Sequence, residues 1–587
     1  MSGIKAMSGI KAMSDDIKAM SGIKAITKGQ QLIKLLESYG VDTVFGIPGV
    51  HTLELYRGLA ASNIQHITPR HEQGAGFMAD GYARITGKPG VCFVITGPGL
   101  TNITTAMGQA LGDSIPMLVI STVNAAGTET QGCLHAMPQQ ANVVKPLTVA
   151  SFELNENDNV PDTLAQVFAA LNMHNGTPLG PVHLQIPLDV IGQLANDNVY
   201  EGNKGHKEGR EASLKALDSI QNAAYVINQH KQIVILAGGG AVNAQAHIKQ
   251  LAQVLDAPVV TTINARGLLA NHALSVPASP SLEATRSLLA QADCVIALGT
   301  QMGQTDYDMY VNGQFPPLHS LIRIDINPAV IHQQQLQLGI LGIHSDVSQA
   351  LTHILPLLEQ KQPSTSLGEA RASATRHAAF AELPKPYQHH HNFLTTITTA
   401  LPEAIIVGDS TQPVYGGNCY FEPPAPKTWF NSATGFGTLG YAVPAAIGAA
   451  LGRRLQHNNH PIIALTGDGG LQFCLAELAT AKDFELPIIF IVWNNQGYGE
   501  IESSMLAVGV TPIGVSPMPP ILDALALAYG LKYIQLVNVN DLSNVLQQAA
   551  QHKGPMLLEI NEPQIMSQLE TMATCNMNNR KDLLNMT

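Results

Sequence analysis

Charged residues are scarce in this chain of 587 residues: Asp, Glu, Lys and Arg together make up 13%, about half the fraction usual in globular proteins. Aromatic residues are also few, at 5% with two tryptophans. The shortage of charge does not indicate disorder, because hydrophobic residues reach 45% and disorder requires low hydrophobicity. It indicates much buried surface, in two-sided sheets or in subunit contacts.

Three further absences exclude whole classes of protein. The strongest apolar run, residues 487–493 (PIIFIVW), is far shorter than the roughly 20 residues of a membrane-spanning helix, so we expect no membrane span. The net charge of −12 argues against a nucleic-acid partner, which would require a basic face. The six cysteines form no C-x-x-C pair, which predicts reduced, mostly buried thiols and a cytoplasmic location.

Segments typical of strands and helices alternate in three long stretches of the chain. This alternation predicts an α/β fold class with three doubly wound parallel sheets, each covered by helices on both faces. We place the first domain at residues 27–190, the second at 205–358 and the third at 392–570.

Three segments remain outside these domains. Residues 1–26 form an N-terminal extension that repeats the unit MSGIKA, and we interpret it as a repeated start region without a part in the fold. The alternative is a short amphipathic helix that docks on a partner. Residues 359–391 read as a linker, in which the triplet 389–391 (HHH) is interpreted as exposed rather than metal-binding. Residues 571–587 are a C-terminal tail.

Polar residues follow several predicted strands of the third domain, as in 408–411 (GDST) and 467–470 (GDGG). In an open α/β sheet this edge binds ligands. The Asp468 carboxylate and the Asn495 amide oxygen are hard ligands suited to Mg²⁺ or Ca²⁺, and the glycines let backbone N–H groups approach a phosphate. Taken alone, Gly-Asp-Gly favours the alternative of a strand-end turn with a helix-capping Asp.

The combination of Gly-Asp-Gly with Asn-Asn about two dozen residues later resembles the signature of thiamine-diphosphate-dependent enzymes. Residues 70–84 (RHEQGAGFMADGYAR) and 96–102 (TGPGLTN) resemble the glutamate helix and glycine loop on the pyrimidine side of that family. Residues 435–448 (GFGTLGYAVPAAIG) resemble the segment that bends the cofactor. The resemblance spans the three domains and implies that the first binds the pyrimidine and the third the diphosphate.

The resemblance also implies a set of contacts to thiamine diphosphate and Mg²⁺. Asp468, Asn495 and the carbonyl of Gly497 are expected to hold the metal ion. The other expected cofactor contacts come from Ser410, Thr411, Gly469 and Gly470 at the diphosphate, Leu439 and Gly437 at the bend, and Tyr498 beside the metal loop.

Glu72 is expected to hydrogen-bond the pyrimidine N1′ and so to favour loss of the proton from the thiazolium C2, a step that gains from proximity. The alternative is a surface charge on the helix beside Arg70. Among the histidines, His51 and His135 are expected to move protons in the site, and His71 less so, since imidazole titrates near neutral pH. Packed or surface histidines are the alternative for each of them.

Two branches of the family compete for this chain: decarboxylases, which release an aldehyde, and acetohydroxyacid synthases, which add a second 2-oxo acid. The Gly-Met-x-Gly-x-x-Gly loop with which synthases bind FAD is replaced by residues 276–282 (VPASPSL), so FAD is not expected. Residues 134–136 (LHA) replace the synthase Phe-Gln-Glu. Both replacements favour a 2-oxo acid decarboxylase.

The stretch 299–308 (GTQMGQTDYD) resembles the 5-guanidino-2-oxopentanoate decarboxylase type. A guanidinium substrate needs a carboxylate partner, for which Glu500 and Glu502 are candidates, whereas Asp306 and Asp308 are expected to be structural. A non-catalytic thiamine-diphosphate binder stays open as another class. By resemblance, the two cofactor-binding domains meet across a subunit interface, which implies a homodimer or homotetramer.

Overall fold

The computed structural model describes residues 25–128, 131–171, 180–195, 214–304, 313–331, 340–458 and 460–568. The repeats at 1–24, the tail at 571–587 and the pair Asp306 and Asp308 lie outside the described residues. In the part of the chain that is described, no helix is both long and apolar enough to cross a membrane.

The first domain contains a six-stranded parallel sheet in the order β2-β1-β3-β4-β6-β5. Its central strands are buried on both faces, because helices cover the two sides of the sheet. The strands are β1 (Thr43–Gly46), β2 (Gln65–Ile67), β3 (Gly90–Val94), β4 (Met117–Val123), β5 (Ala150–Glu153) and β6 (Pro181–Pro187). The helices are α1 (Lys28–Ser38), α2 (Leu53–Leu59), α3 (Glu72–Thr86), α4 (Pro98–Gly112), α5 (Gln140–Val144), α6 (Val160–Leu171) and α7 (Leu188–Ile191).

The second domain contains a parallel sheet in the order β12-β11-β10-β7-β8-β9. The strands are β7 (Ile233–Ala237), β8 (Val259–Thr261), β9 (Ser275–Val276), β10 (Cys294–Leu298), β11 (Leu321–Asp325) and β12 (Ile340–His344). The helices are α8 (Leu214–Gln229), α9 (Gln245–Leu255), α10 (Glu283–Ala290), α11 (Pro328–Ile331) and α12 (Val347–Ile354). Three more helices lead to the third domain: α13 (Pro363–Ser366), α14 (Gly368–Glu382) and α15 (Lys385–Ala400).

The third domain contains a parallel sheet in the order β14-β13-β15-β16-β18-β17, which is the strand order of the first domain repeated. The strands are β13 (Ile405–Gly408), β14 (Trp429–Asn431), β15 (Ile462–Gly467), β16 (Ile488–Asn494), β17 (Lys532–Leu536) and β18 (Met556–Asn561). The helices are α16 (Gln412–Cys419), α17 (Ala442–Leu455), α18 (Asp468–Leu471), α19 (Glu477–Asp483), α20 (Gly499–Ala507), α21 (Leu522–Ala528) and α22 (Leu542–Ala550). The prediction of three parallel-sheet α/β domains is confirmed.

The histidine triplet is not an exposed linker segment, and that interpretation of the sequence is wrong. The three histidines lie in α15, which begins directly after Pro384. His390 is 1% exposed and packs edge-on against Trp493, with ring centroids 5.4 Å apart. Burial lowers the pKa of His390 to about 3, so the ring is neutral and behaves as a core residue.

The first and third domains pack through α3 and α17, and one apolar cluster includes side chains from both helices. Small residues make this close approach possible: a Cβ atom on Gly81 would overlap the Ala445 carbonyl, and one on Gly448 would overlap the Met78 carbonyl. Any larger residue at these two positions would push the helices apart.

A buried ion-pair network reinforces the same interface. Arg84 donates to Asp80 and to Asp113, each over 2.6 Å, and all three side chains are less than 10% exposed. Tyr441 of the third domain donates to Asp80. Thr434 donates to Asp113 over 2.9 Å. The network therefore connects the first domain to the loop that precedes α17.

Candidate active site

Asp468 lies at the carboxyl end of β15 and begins α18, fully buried. Its Oδ1 accepts from the Asn495 backbone N–H over 3.3 Å, whereas its buried Oδ2 has no hydrogen-bond partner. Burial raises the pKa of Asp468, although the N–H groups of Asn495 and Gly497 oppose the shift. A buried carboxylate oxygen without a partner is costly unless a cation binds it, so this arrangement suits a metal ligand.

The Asn495 backbone lies next to this carboxylate, since Asn495 follows β16 and β15 pairs with β16, while the Asn495 side chain donates to Gln412 over 3.1 Å. Gly497 follows in the same loop, where a Cβ atom would stand 2.5 Å from the Val515 carbonyl oxygen. Only glycine therefore fits at this position of the loop. The structure brings Asp468, Asn495 and Gly497 together at one edge of the sheet.

The two glycines after Asp468 are required by their surroundings. A Cβ atom on Gly469 would lie 2.6 Å from the Tyr498 ring, and one on Gly470 would lie 3.2 Å from the Asp409 carboxylate. Tyr498 thus covers the glycine turn rather than pointing away from it. The two glycines therefore let the backbone at this helix start lie close to Tyr498 and Asp409.

Ser410 and Thr411 lie in the loop between β13 and α16. This loop is close to Asp468 because β13 pairs with β15. The Ser410 hydroxyl lies within hydrogen-bond distance of Ser432 Oγ and of the Thr438 carbonyl, at 3.3 Å in both cases. A Cβ atom on Gly467 would lie 3.0 Å from Thr411 Oγ1. Thr411 therefore borders the Gly-Asp-Gly turn, and Ser410 lies against the loop before α17.

Asp409 organises this edge, and sequence reasoning did not single it out. Its Oδ1 accepts from the N–H groups of Ser410 at 2.9 Å and Gly440 at 3.2 Å. Its Oδ2 accepts from the Ala442 N–H at 3.3 Å and from the Thr466 hydroxyl at 3.4 Å. Burial raises the pKa of Asp409 to about 6. Its position in the sequence, between the end of a predicted strand and the Ser-Thr pair, could have predicted this role.

The loop before α17 is fixed by contacts with both domains. Gly437 has φ +73° and no atom within 4 Å of a Cβ position, so its backbone faces open space. Thr438 donates to Gln109 of α4 over 3.2 Å, and its carbonyl accepts from Ser432 over 2.6 Å. Leu439, half-buried, follows directly. The loop is thus held on both sides, with Gly437 and Leu439 at its open face.

Glu72 begins α3 and is half-buried. Its Oε2 accepts from Asn102 Nδ2 over 3.0 Å, and its Oε1 is 3.5 Å from a Cβ position on Gly99. Arg70 pairs with Asp483 instead, over 2.6 Å. Glu72 is therefore oriented by the glycine loop of the first domain and is not the partner of a surface cation.

His51 and His135 lie on loops after β1 and β4, and their ring centroids are 5.5 Å apart. His51 Nδ1 is buried without a partner, and burial together with His135 lowers the pKa of His51. The His135 carbonyl packs on Gly97, the residue directly before α4. His71, in contrast, is exposed and accepts from the Gln73 N–H as a helix cap.

Large apolar side chains are exposed around both halves of the site. Beside the histidine pair these are Val50 (64% exposed), Leu53 (44%) and Leu134 (61%). Beside the loop before α17 and the glycine turn these are Phe436 (54%) and Phe473 (55%). Apolar surface concentrated at a site marks a surface that a partner or ligand covers.

Two glycine loops of the second domain contact each other at its topological switch point, which lies between β7 and β10. The Gly240 N–H donates to the Gly299 carbonyl over 3.0 Å, and a Cβ atom on Gly238 would overlap the same carbonyl. Because the two glycine loops contact each other, the place where a dinucleotide binds in such sheets is filled by backbone.

Three family models match the chain in the order of its three sheets. Residues 26–143 match the N-terminal TPP binding domain of thiamine pyrophosphate enzymes, residues 220–354 the central domain and residues 409–560 the C-terminal TPP binding domain. The matched regions contain Glu72 as well as Asp468 and Asn495. The family resemblance read from the motifs is therefore confirmed.

Curated relatives agree over nearly the whole chain. A probable 2-ketoarginine decarboxylase of Pseudomonas aeruginosa is 39% identical over 542 residues, which cover 91% of this chain and 94% of the relative. The large subunit of acetolactate synthase isozyme 1 of Escherichia coli is 30% identical over 91% of this chain and 93% of its own. The acetolactate synthase large subunit of Corynebacterium glutamicum is 32% identical over 81% and 76%. The chain belongs to the thiamine pyrophosphate enzymes.

Proposed function

We propose that this protein decarboxylates a 2-oxo acid to an aldehyde and CO₂ without oxidation, using thiamine diphosphate and Mg²⁺. The observation that carries the proposal is the partnerless Oδ2 of buried Asp468, whose Oδ1 accepts from the Asn495 N–H at the end of the neighbouring strand. A carboxylate, an amide and phosphate oxygens are the ligands that Mg²⁺ prefers.

The residues present suit the cofactor. Asp468, Asn495 and the Gly497 carbonyl would hold Mg²⁺, and the backbone at Gly469 and Gly470 would hold the diphosphate. Thr411 borders the same turn, and Ser410 precedes it directly. The open face of Gly437 and Leu439 suits the bend between the two rings of the cofactor, while Tyr498 packs over Gly469.

When bound, thiamine diphosphate supplies a carbon nucleophile and an electron sink for the bond that releases CO₂. Glu72 would hold a proton between its Oε1 and the pyrimidine N1′. Asn102 keeps the carboxyl group in place by donating to Oε2. Such a proton-holding carboxyl is effective because its position is fixed before reaction.

Release of the aldehyde consumes one proton at the carbon that loses CO₂. His51 and His135 would deliver it, since their rings are 5.5 Å apart and His51 Nδ1 is free of protein partners. The lowered pKa of His51 keeps this ring neutral near pH 7, able to accept a proton and pass it on.

Two observations favour the decarboxylase over the synthase branch. The histidine pair includes His135, at the place of the synthase Phe-Gln-Glu, and the closed contact of Gly240 with Gly299 favours a protein without FAD. Acetolactate synthase remains the second candidate because relatives with that activity are 30–32% identical. A flavin spectrum in the purified protein would overturn the FAD-free part of the proposal.

We propose 5-guanidino-2-oxopentanoate as the substrate, in line with the name of the Pseudomonas relative, a probable 2-ketoarginine decarboxylase. Glu500 lies in the first turn of α20 and is half-buried, and none of the ion pairs between described residues includes it. Burial raises the pKa of Glu500, which a guanidinium partner would reverse. Glu502 is exposed and serves as the weaker candidate.

We propose that the working unit is a homodimer or homotetramer. The exposed apolar side chains Leu134 and Phe436, one beside each half of the site, support a subunit interface there. We also propose a cytoplasmic location, which the free thiols Cys92, Cys133 and Cys294 support.

Product analysis tests the proposed activity. The protein with thiamine diphosphate and Mg²⁺ is given a panel of 2-oxo acids that includes pyruvate and 5-guanidino-2-oxopentanoate. We expect CO₂ and 4-guanidinobutanal from the latter. A 2-hydroxy-3-oxo acid from two pyruvates would establish the synthase instead, and no CO₂ from any member would support a non-catalytic binder. Glu500→Gln should raise KM for the guanidino substrate at least tenfold, whereas an equal rise in Glu502→Gln with none in Glu500→Gln would assign the guanidinium partner to Glu502.

A further inference from the structure

Glu477 is a buried carboxylate of the third domain whose hydrogen bonds reach into the first domain. It is 2% exposed and begins α19. Its Oε1 accepts from the backbone N–H groups of Arg70 at 2.9 Å and His71 at 3.1 Å. Its Oε2 accepts from the Thr480 hydroxyl at 2.7 Å. These backbone groups stand immediately before Glu72.

The side chain of Glu477 also supports the first turn of α3. A Cβ atom on Gly74 would overlap the Glu477 carboxylate, so this glycine lets the carboxylate lie against the turn. A negative group is stabilised near a helix N-terminus, where N–H groups lack partners. Glu477 thus fixes both the position and the direction of the turn that carries Glu72.

Three residues of α19 share one helix face through their spacing of three. Glu477 holds the backbone before Glu72, Thr480 holds Glu477, and Asp483 pairs with the Arg70 guanidinium over 2.6 Å. Asp483 is 52% exposed at its side chain, whereas Glu477 is buried. The chain therefore offers a buried contact and an exposed one between the same two segments.

We propose that Glu477 is a positioning residue that sets the geometry of Glu72 toward the cofactor. The inference rests on the proposed role of Glu72 as the carboxyl that faces the pyrimidine. Because Glu477 belongs to the domain that also carries Asp468, it makes the placement of Glu72 depend on the packing of the third domain against the first. A displacement of about 1 Å at such a group can slow its reaction about a hundredfold.

The first test uses the protein without cofactor. Hydrogen–deuterium exchange of a peptide spanning residues 68–74 reports the N–H groups of Arg70 and His71. Glu477→Leu should lose their protection, Glu477→Gln should keep most of it because its amide oxygen still accepts, and Asp483→Asn should match the wild type. Equal protection in Glu477→Leu and the wild type would overturn the proposal.

The second test measures exchange of the C2 proton of bound thiamine diphosphate together with the Kd of the cofactor. Glu477→Leu should slow exchange about 10- to 100-fold with Kd within about threefold of the wild type, and Glu477→Gln should restore the rate. Parallel loss of affinity, thermal stability and exchange, without rescue by Gln, would show a structural role only and overturn the proposal.

If Glu477→Leu does not fold, Thr480→Val replaces it, with an expected smaller loss of protection at Arg70 and His71. Wild-type protein without C2 exchange would instead contradict the proposed function.

Discussion

Asn102 donates a hydrogen bond from its side-chain nitrogen to Oε2 of Glu72 over 3.0 Å. The two residues come from the N-terminal turns of consecutive helices, α4 and α3. Glu72 Oε1 lies on the side of Gly99, 3.5 Å from the position that a Cβ atom on this glycine would take, and the Ile95 side chain packs against the same glycine. One oxygen of the carboxyl group is thus held by the protein, and the other is available to a ligand.

This relationship predicts the effect of removing the donor. Asn102→Ala should slow exchange of the C2 proton of bound thiamine diphosphate about tenfold, since one hydrogen bond to a charged group contributes about 1.5 kcal/mol and each 1.4 kcal/mol is tenfold. Glu72→Gln should abolish the exchange while cofactor binding persists. Thr101→Ala, an exposed neighbour on α4, is the control and should exchange at the wild-type rate. Undiminished exchange in Glu72→Gln would rule out its role.

The partnerless Oδ2 of Asp468 predicts a loss of metal-dependent binding. Asp468→Ala should lower the affinity for thiamine diphosphate in the presence of Mg²⁺ by at least a hundredfold, because a ligand contributes more than its supporting partners, whose loss costs about 10- to 100-fold. Calorimetric titration with and without Mg²⁺ measures this, and circular dichroism checks the fold. Asp541→Ala, an exposed acid of the same domain, is the matched control. Equal affinity in both variants would remove Asp468 from the metal site.

The Arg84 network predicts a large difference between a buried and an exposed ion pair. Arg84→Met leaves Asp80 and Asp113 buried without their cation, which should cost about 3–5 kcal/mol of unfolding free energy. The same substitution at Arg57, which is 61% exposed and paired with Glu54, should cost about 0–1 kcal/mol. Urea unfolding of both variants gives the comparison. Equal losses would contradict the assigned role of the network at the domain interface.

A buried histidine predicts part of the acid sensitivity. His183 lies between the hydroxyls of Ser121 at 2.8 Å and Ser151 at 2.9 Å, and burial lowers its pKa from 6.5 to about 4. The unfolded chain therefore binds a proton that the folded chain refuses, so stability is complete above pH 6.5 and falls as the pH drops toward 4.

Each pH unit in that window costs about 1.4 kcal/mol, or about 2 kcal/mol from this group at pH 5. His183→Gln should shrink the loss of unfolding free energy between pH 7 and pH 5 by that amount. The exposed His377→Gln should leave the loss unchanged. If His183→Gln and the wild type lose the same unfolding free energy between pH 7 and pH 5, this ring does not cause the pH dependence of stability.

Sequence reasoning reached the three sheets and the pairing of Asp468 with Asn495 because both follow from local pattern and chain order. Strands β15 and β16 are consecutive and adjacent, so their ends meet without knowledge of the wider fold. Asp409 and Glu477 escaped notice because their function lies in contacts with loops distant in sequence. The prediction of an exposed histidine triplet was wrong because its burial depends on contacts with Trp493, a residue of the sheet in the third domain.

In the function proposed above, Glu72 and Asp468 lie on the two sides of a thiamine-diphosphate site, and the protein decarboxylates a 2-oxo acid there. The most direct measurement is the simultaneous yield of CO₂ and aldehyde from 5-guanidino-2-oxopentanoate by protein depleted of cofactor and then reloaded. The account predicts equal molar yields that require both thiamine diphosphate and Mg²⁺ and that vanish in Glu72→Gln and Asp468→Ala. Turnover without added cofactor, or undiminished turnover in either variant, would contradict it.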